Sequence, residues 1–166
     1  APYGEPEFVD IIKDKIVKIS DNGSICLNMD YFGFMEKDIM TNEKFHDTFG
    51  GPPRKEESEL TQKEMNLAKS IQVVTEEIIQ KICNHAQKIT SSENLCLAGG
   101  VALNCVSNGK VLRNGKFKKI WIQPAAGDAG GSLGSALQIY YSKFKKERLK
   151  KSDSIQAGSY WGPSFS

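Results

Sequence analysis

Hydrophobic positions along this chain follow different rhythms, and each rhythm predicts a different element. Ile16–Val17–Lys18–Ile19 and Ile25–Cys26–Leu27 are short β-branched runs flanking Ser20–Asp21–Asn22–Gly23–Ser24. An Asn-Gly that can reach positive φ between such runs predicts a β-hairpin. Further on, Leu67, Ile71, Val74, Ile78, Ile82 and Cys83 return every three or four positions, the repeat of an amphipathic helix. Thr61–Gln62–Lys63–Glu64 ahead of them is a capping box. The spacing predicts a helix of about 25 residues ending near Lys88, its apolar stripe packed on a sheet. Leu95–Cys96–Leu97 and Ile120–Trp121–Ile122 are unbroken apolar runs, which read as buried strands. Each leads into a glycine-bearing turn and then helix-like sequence. The first turn is Ala98–Gly99–Gly100, with a helix from Val101 through Leu112 that Asn114–Gly115 would close as a left-handed cap. The second is Pro124–Ala125–Ala126–Gly127–Asp128, with a helix from Gly130 to Lys145. Two such units in succession describe a β-α-β-α core with both turns at one edge of a parallel sheet. Open α/β sheets bind their ligands at that edge.

The rest of the chain is less periodic. Residues 1–14 open with turn chemistry at Pro2, Gly4 and Pro6, and Phe8–Val9–Asp10–Ile11–Ile12 reads as a short helix or an extended piece. Residues 29–57 carry Tyr31, Phe32, Phe34, Phe45 and Phe49 without a clear repeat. They read as an irregular surface segment held by aromatic anchors, or as a cover for a ligand or for an absent neighbour. The expected organisation is a hairpin and aromatic segment over 1–57, an α/β core with both glycine turns over 58–150, and a C-terminal loop over 151–166. Loop-like sequence at both ends, from Ala1–Pro2–Tyr3–Gly4 to Gly158–Ser159–Tyr160–Trp161–Gly162–Pro163, suggests a segment of a longer protein.

Composition narrows the partners. A length of 166 residues suits one domain with a real core, and a net charge of +2 gives no electrostatic case for nucleic acid. No apolar run approaches the ~18–20 residues of a membrane span. Cys26, Cys83, Cys96 and Cys105 show no C-x-x-C spacing, and read as buried free thiols of a reducing cytoplasm. The basic run from Lys143 to Lys151 suits a solvated helix end.

Candidate chemistry gathers at the two glycine turns. Gly127-x-x-Gly130-Gly131-x-x-Gly134 invites a dinucleotide-binding reading. Against it, the first turn lacks G-x-G-x-x-G, and the next strand ends in Gln123–Pro124 rather than in an acid. The backbone at Gly99–Gly100 can still hold a nucleotide, with Asn104 a helical turn on to hydrogen-bond it. Asp128, at the loop-to-helix junction, is either an N-cap or a hard oxygen ligand for a metal beside phosphates. The residues alone favour the cap. Glu76 and Glu77 point about 100° apart on a helix and read as solvated, with Glu76 the better candidate for more. His46 and His85 have no second ligand at helical spacing, so neither starts a metal site.

The same residues carry a resemblance. Leu97–Ala98–Gly99–Gly100–Val101–Ala102–Leu103–Asn104 and Ile120–Trp121–Ile122–Gln123–Pro124–Ala125–Ala126–Gly127–Asp128–Ala129–Gly130–Gly131 resemble the carbamoyltransferase family of the nodulation NodU protein and antibiotic O-carbamoyltransferases. Phe49–Gly50–Gly51–Pro52–Pro53–Arg54 and both chain ends add to it, so the likeness covers nearly the whole chain. It implies the later part of an actin/sugar-kinase/Hsp70-like α/β domain, with long helices packed on a mixed sheet and a YrdC-like domain beyond. It implies carbamoyl phosphate and ATP as substrates, a carbamoyl-adenylate, and transfer of the carbamoyl group to the hydroxyl of a small molecule or saccharide. Asp128 matches the family's metal aspartate, which moves it from cap to ligand. The metal is divalent, iron by the resemblance, or magnesium or manganese. Gly99, Gly100 and Asn104 match the segment bordering the adenylate, and Gly127 and Gly130 of the second turn are expected to bind the nucleotide with them. The family's H-x-x-x-H pair is absent, so this segment alone should be inactive. Two other readings remain: a tRNA threonylcarbamoyl-adenosine synthase-like ATPase, and a non-catalytic nucleotide-binding or interaction module. An intact histidine pair upstream would separate enzyme from module. Acceptor and oligomeric state are open.

Overall fold

The computed structural model describes residues 2–148 and 162–165. It is an α/β protein that divides into two compact units, Ala1–Ser91 and Ser92–Ser166. The long helix therefore goes with the N-terminal segment. Of the expected C-terminal loop, residues 151–161 lie outside the described residues, as does the end of the basic run over 149–151.

In the first unit a short helix α1 (Val9–Ile11) continues as a π turn over Ile12–Ile16, so the Phe8–Ile12 stretch is helical. The hairpin forms as β1 (Val17–Ile19) and β2 (Ile25–Leu27), antiparallel, with Val17 opposite Leu27 and Ile19 opposite Ile25. Gly23 takes φ +85° in its loop. The aromatic segment is largely irregular and exposed, as expected, and is held by buried aromatic anchors. A 3-10 turn at Met29–Tyr31 and helix α2 (Glu43–Thr48) bring Tyr31 and Phe49 into the core beside Ile12, Ile16, Val17 and Val74. Phe8, Phe49 and Phe45 pack in series, with ring centres 5.8 and 4.4 Å apart.

Helix α3 (Gln62–Thr90) runs slightly past its predicted end and stops at Ser91, which adopts φ +53°. Its stripe packs on α1, the π turn and the aromatic cluster, with Val74 fully buried and Leu67 and Ile78 against the core. Within its own unit the stripe thus packs on helical turns and aromatic rings. The buried polar residues of α3 have work there. Asn66 accepts the N–H of Glu5 at 2.8 Å and Ser70 that of Phe8 at 3.0 Å, tying the N-terminal turn to the helix. Buried polar groups are tolerated when bonded in this way.

The capping box forms. The Thr61 N–H donates to the Glu64 carboxylate at 2.9 Å, and the Thr61 hydroxyl donates to the same oxygen. These bonds, the hydroxyl's first, hold the Glu64 carboxyl below the ordinary carboxylate range. A folded value below the unfolded one means stability that is present above the unfolded value and lost as pH falls through the folded one. Glu64→Ala is therefore expected to lower the melting temperature at pH 7, with the gap to wild type closing below about pH 4. Melting curves across pH 3–7 check this, and a gap independent of pH would contradict it.

The second unit has the order β3 (Asn94–Leu97), a 3-10 turn (Gly100–Leu103), α4 (Cys105–Arg113), β4 (Lys119–Ile122) and α5 (Gly130–Gln138), then a π turn over Ile139–Lys143. β3 and β4 are parallel, with Leu95 opposite Ile120 and Leu97 opposite Ile122. The β-α-β-α order is as expected. The mixed sheet is not: the described residues form one antiparallel pair and one parallel pair. Nor are the strands buried. Leu95, Leu97, Ile120 and Ile122 are half-buried on one face, while Cys96 and Trp121 are exposed on the other. Cys26 and Cys105 are exposed as well, so of the four free thiols only Cys83 is buried; there, desolvation pushes its pKa up. The predicted left-handed cap at Asn114 is also absent, since Asn114 sits at φ −80°, ψ 7°.

Candidate functional site

Both glycine turns follow parallel strands at the same edge, and a backbone bond joins them. The Gly99 N–H donates to the carbonyl of Ala126 at 2.8 Å, and just below it the Gln123 N–H donates to Leu97 at 3.2 Å. Gly99 makes the first bond from φ +98°, ψ 156°, backbone that other residues rarely adopt. A Cβ added at Gly99, Gly100 or Gly127 would meet nothing within 4 Å. These glycines border open space, where a ligand can approach the bare backbone. Gly130 differs. Its Cβ would lie 2.1 Å from the Ala125 carbonyl oxygen, so the turn's own packing requires glycine there.

Asn104 interrupts the helix expected from Val101 to Leu112. It ends the 3-10 turn and caps α4, its Oδ1 accepting the Ser107 N–H at 3.1 Å. A cap ending one helix and starting the next explains the interruption. Asp128 is not an N-cap: that place falls to Ala129, which caps with no side-chain bond. The Asp128 backbone carbonyl accepts the Gly131 N–H at 3.0 Å. Its carboxylate is exposed on the rim of the second turn, without a hydrogen bond or ion pair among the described residues.

The other candidates are occupied elsewhere. Glu77 pairs with Lys13 at 2.7 Å and Lys81 at 3.7 Å, and Glu76 accepts from Gln72 at 2.8 Å. His46 is hydrogen-bonded to the Thr41 hydroxyl at 3.1 Å, and His85 is exposed. An open depression of about 790 Å³ on the first unit is lined by Met40, Thr41, Lys44 and His46 among others. Its polar groups hold the segment together: Lys44 pairs with Asp30 at 2.9 Å and lies over the Tyr31 ring. The chemistry therefore points to the glycine edge rather than to this hollow.

A divalent metal needs several hard ligands. Among the described residues no three His, Cys, Asp or Glu side chains converge. Asp128 offers one ligand, and this chain's described residues do not make a metal centre by themselves.

The family model described as "Carbamoyltransferase N-terminus" matches residues 1–137, from the first turn chemistry through both glycine turns. The chain belongs to the carbamoyltransferase family. Relatives agree along the whole segment. An uncharacterized protein of Synechocystis is 53% identical over 99% of this chain and 27% of its own length. Nodulation protein NolNO of Sinorhizobium fredii is 35% identical over 98% of the chain and 22% of the relative. Nodulation protein NolO of Bradyrhizobium diazoefficiens is 33% identical over 98% and 27%. The chain thus spans about a quarter of the length of those relatives. No helix among its described residues is long and apolar enough to cross a membrane.

One contributor was missed by sequence reasoning. Asn108, on α4, is buried beside Ser107 and Val111. A polar pair on the face of a helix that also carries a buried valine was the available signal.

Proposed function

We propose that this chain supplies the nucleotide-facing edge of an O-carbamoyltransferase with the actin/sugar-kinase/Hsp70-like architecture. In this reading ATP and carbamoyl phosphate yield a carbamoyl-adenylate, and the carbamoyl group passes to the hydroxyl of a small molecule or saccharide. The observation that carries it is the joined pair of glycine turns, with open space over Gly99, Gly100 and Gly127 at the carboxyl edge of parallel strands. Bare backbone at such an edge suits phosphates and a ribose, which need close approach and N–H donors rather than side-chain bulk. Asp128, exposed and released from capping, faces the transfer reaction. The divalent metal that the resemblance implies takes Asp128 as its one ligand from this chain, and its other ligands come from outside the described residues.

The test uses the full-length protein carrying this segment, with ATP, carbamoyl phosphate, divalent metal and a panel of hydroxyl acceptors. Pyrophosphate release should depend on carbamoyl phosphate. Asp128→Asn should lower product formation about a hundredfold, the order seen when one electrostatic stabiliser of a transition state is removed. Its melting temperature should stay close to wild type, because the carboxylate makes no bond among the described residues. Pyrophosphate release that never depends on carbamoyl phosphate would overturn the reading and leave a nucleotide-binding module.

A further inference from the structure

A line of hydrogen bonds runs from the interior of α4 to both glycine turns. The Asn108 Nδ2 donates to the Ala102 carbonyl at 2.7 Å, between two buried residues six positions apart. The Ala102 N–H donates to the Gly99 carbonyl at 2.9 Å, and the Gly99 N–H donates to the Ala126 carbonyl at 2.8 Å. Ala102 and Gly99 each accept through their carbonyl and donate through their own N–H, so the three bonds share residues and fix the backbone of one turn against the other. Asn108 is the only side chain in it. Its Oδ1, meanwhile, is buried without a partner among the described residues. An orphaned buried acceptor is destabilising, and an apolar side chain of similar size would avoid it. What asparagine offers here is the donor to Ala102.

We infer that Asn108 is the positioning residue of the glycine edge: its side-chain amide holds the Gly100–Leu103 turn, and through Gly99 it sets the spacing between the two turns. The residue touches no ligand itself. A ligand gripped by the backbone of both turns depends on that spacing, because Gly99, at φ +98°, has no side chain to brace it from outside. The effect on ligand affinity rests on the nucleotide reading above, whereas the fixing of the turns does not.

Three variants of the full-length protein separate positioning from plain stability. Asn108→Leu removes the donor and the orphaned acceptor together. Asn108→Asp keeps shape and acceptor and removes the donor. Val111→Ala opens a cavity at a buried position on the same helix, where Val111 is 2% exposed, and leaves the line intact. Two readouts are taken: amide hydrogen exchange over residues 98–104 and 125–128 without ligand, and the dissociation constant for ATP. Both Asn108 variants should exchange about tenfold faster at Gly99 and Ala102, and bind ATP about tenfold more weakly, the effect of one lost buried hydrogen bond. Asn108→Leu should do so at a near wild-type melting temperature. Val111→Ala should melt lower with unchanged local exchange and ATP affinity. Unchanged exchange in both Asn108 variants, or equal acceleration in Val111→Ala, would overturn the inference. Should Asn108→Leu fail to fold, the comparison of Asn108→Asp with Val111→Ala decides in the same way. If wild type binds no ATP while the Asn108 variants still loosen both turns, the nucleotide reading falls and the positioning role stands.

Discussion

Gly130→Ala is expected to disable the second glycine turn, while Gly134→Ala, four residues along the same helix, should strengthen the fold. The two changes are chemically identical and differ only in what the new methyl meets. At Gly130 it would lie 2.1 Å from the Ala125 carbonyl oxygen, which is backbone and has no rotamer to yield. Relief requires α5 to move off the turn, and overpacking of this kind costs about 1–3 kcal/mol or more. The displaced segment includes Ala126, whose carbonyl receives the Gly99 N–H, so the damage reaches the first turn as well. At Gly134 the methyl meets nothing within 4 Å and the residue lies inside α5. Replacing a helical glycine by alanine there should add about 0.5–1 kcal/mol. Denaturant titration of each variant checks the signs. Product formation should fall with Gly130→Ala by more than its stability loss accounts for. Two variants of equal stability would mean that the close approach at Gly130 is not what shapes the turn.

The second large effect lies in the other unit. Phe49→Ala should cost about 3–5 kcal/mol, the range for emptying a buried aromatic site. Phe49 is 2% exposed and sits between Phe8 and Phe45, with ring centres 5.8 and 4.4 Å away. Its neighbours come from α2 and from the turn before α1, so the site cannot close around the cavity without shifting both. Met40→Ala, at a residue 70% exposed in the same segment, should change stability by no more than about 0.5 kcal/mol. Urea midpoints for the two give the comparison, and a Phe49→Ala loss as small as that of Met40→Ala would show that the aromatic series is not the core of this unit.

Periodicity and local chemistry carried much of this architecture. The hairpin was legible because β-branched runs flank an Asn-Gly, and α3 because six apolar positions and a capping box agree. Both glycine turns were legible as strand-to-helix junctions. The aromatic segment was legible as irregular chain with aromatic anchors; which aromatics anchor it was not, because Tyr31 and Phe49 are buried by contacts with residues distant in sequence and follow no repeat of their own. The stripe of α3 announces that something covers it without naming what. At the site, Asp128 reads as a cap from its neighbours, yet helical geometry places Ala129 there and turns the carboxylate out. That Asn104 also caps α4 through its Oδ1 was not legible, because the break between the 3-10 turn and α4 leaves no mark in the apolar pattern. Asn108 was invisible because its part depends on the Ala102 carbonyl beneath it, which only the interrupted helix brings within reach.

The central claim is that the two joined turns grip one nucleotide. Amide hydrogen exchange of the full-length protein with and without saturating ATP tests it most directly. ATP is expected to slow exchange over residues 98–104 and 125–131 together, with both effects lost in Gly130→Ala. ATP that binds while leaving both segments unprotected, or protects only residues far from them, would contradict it.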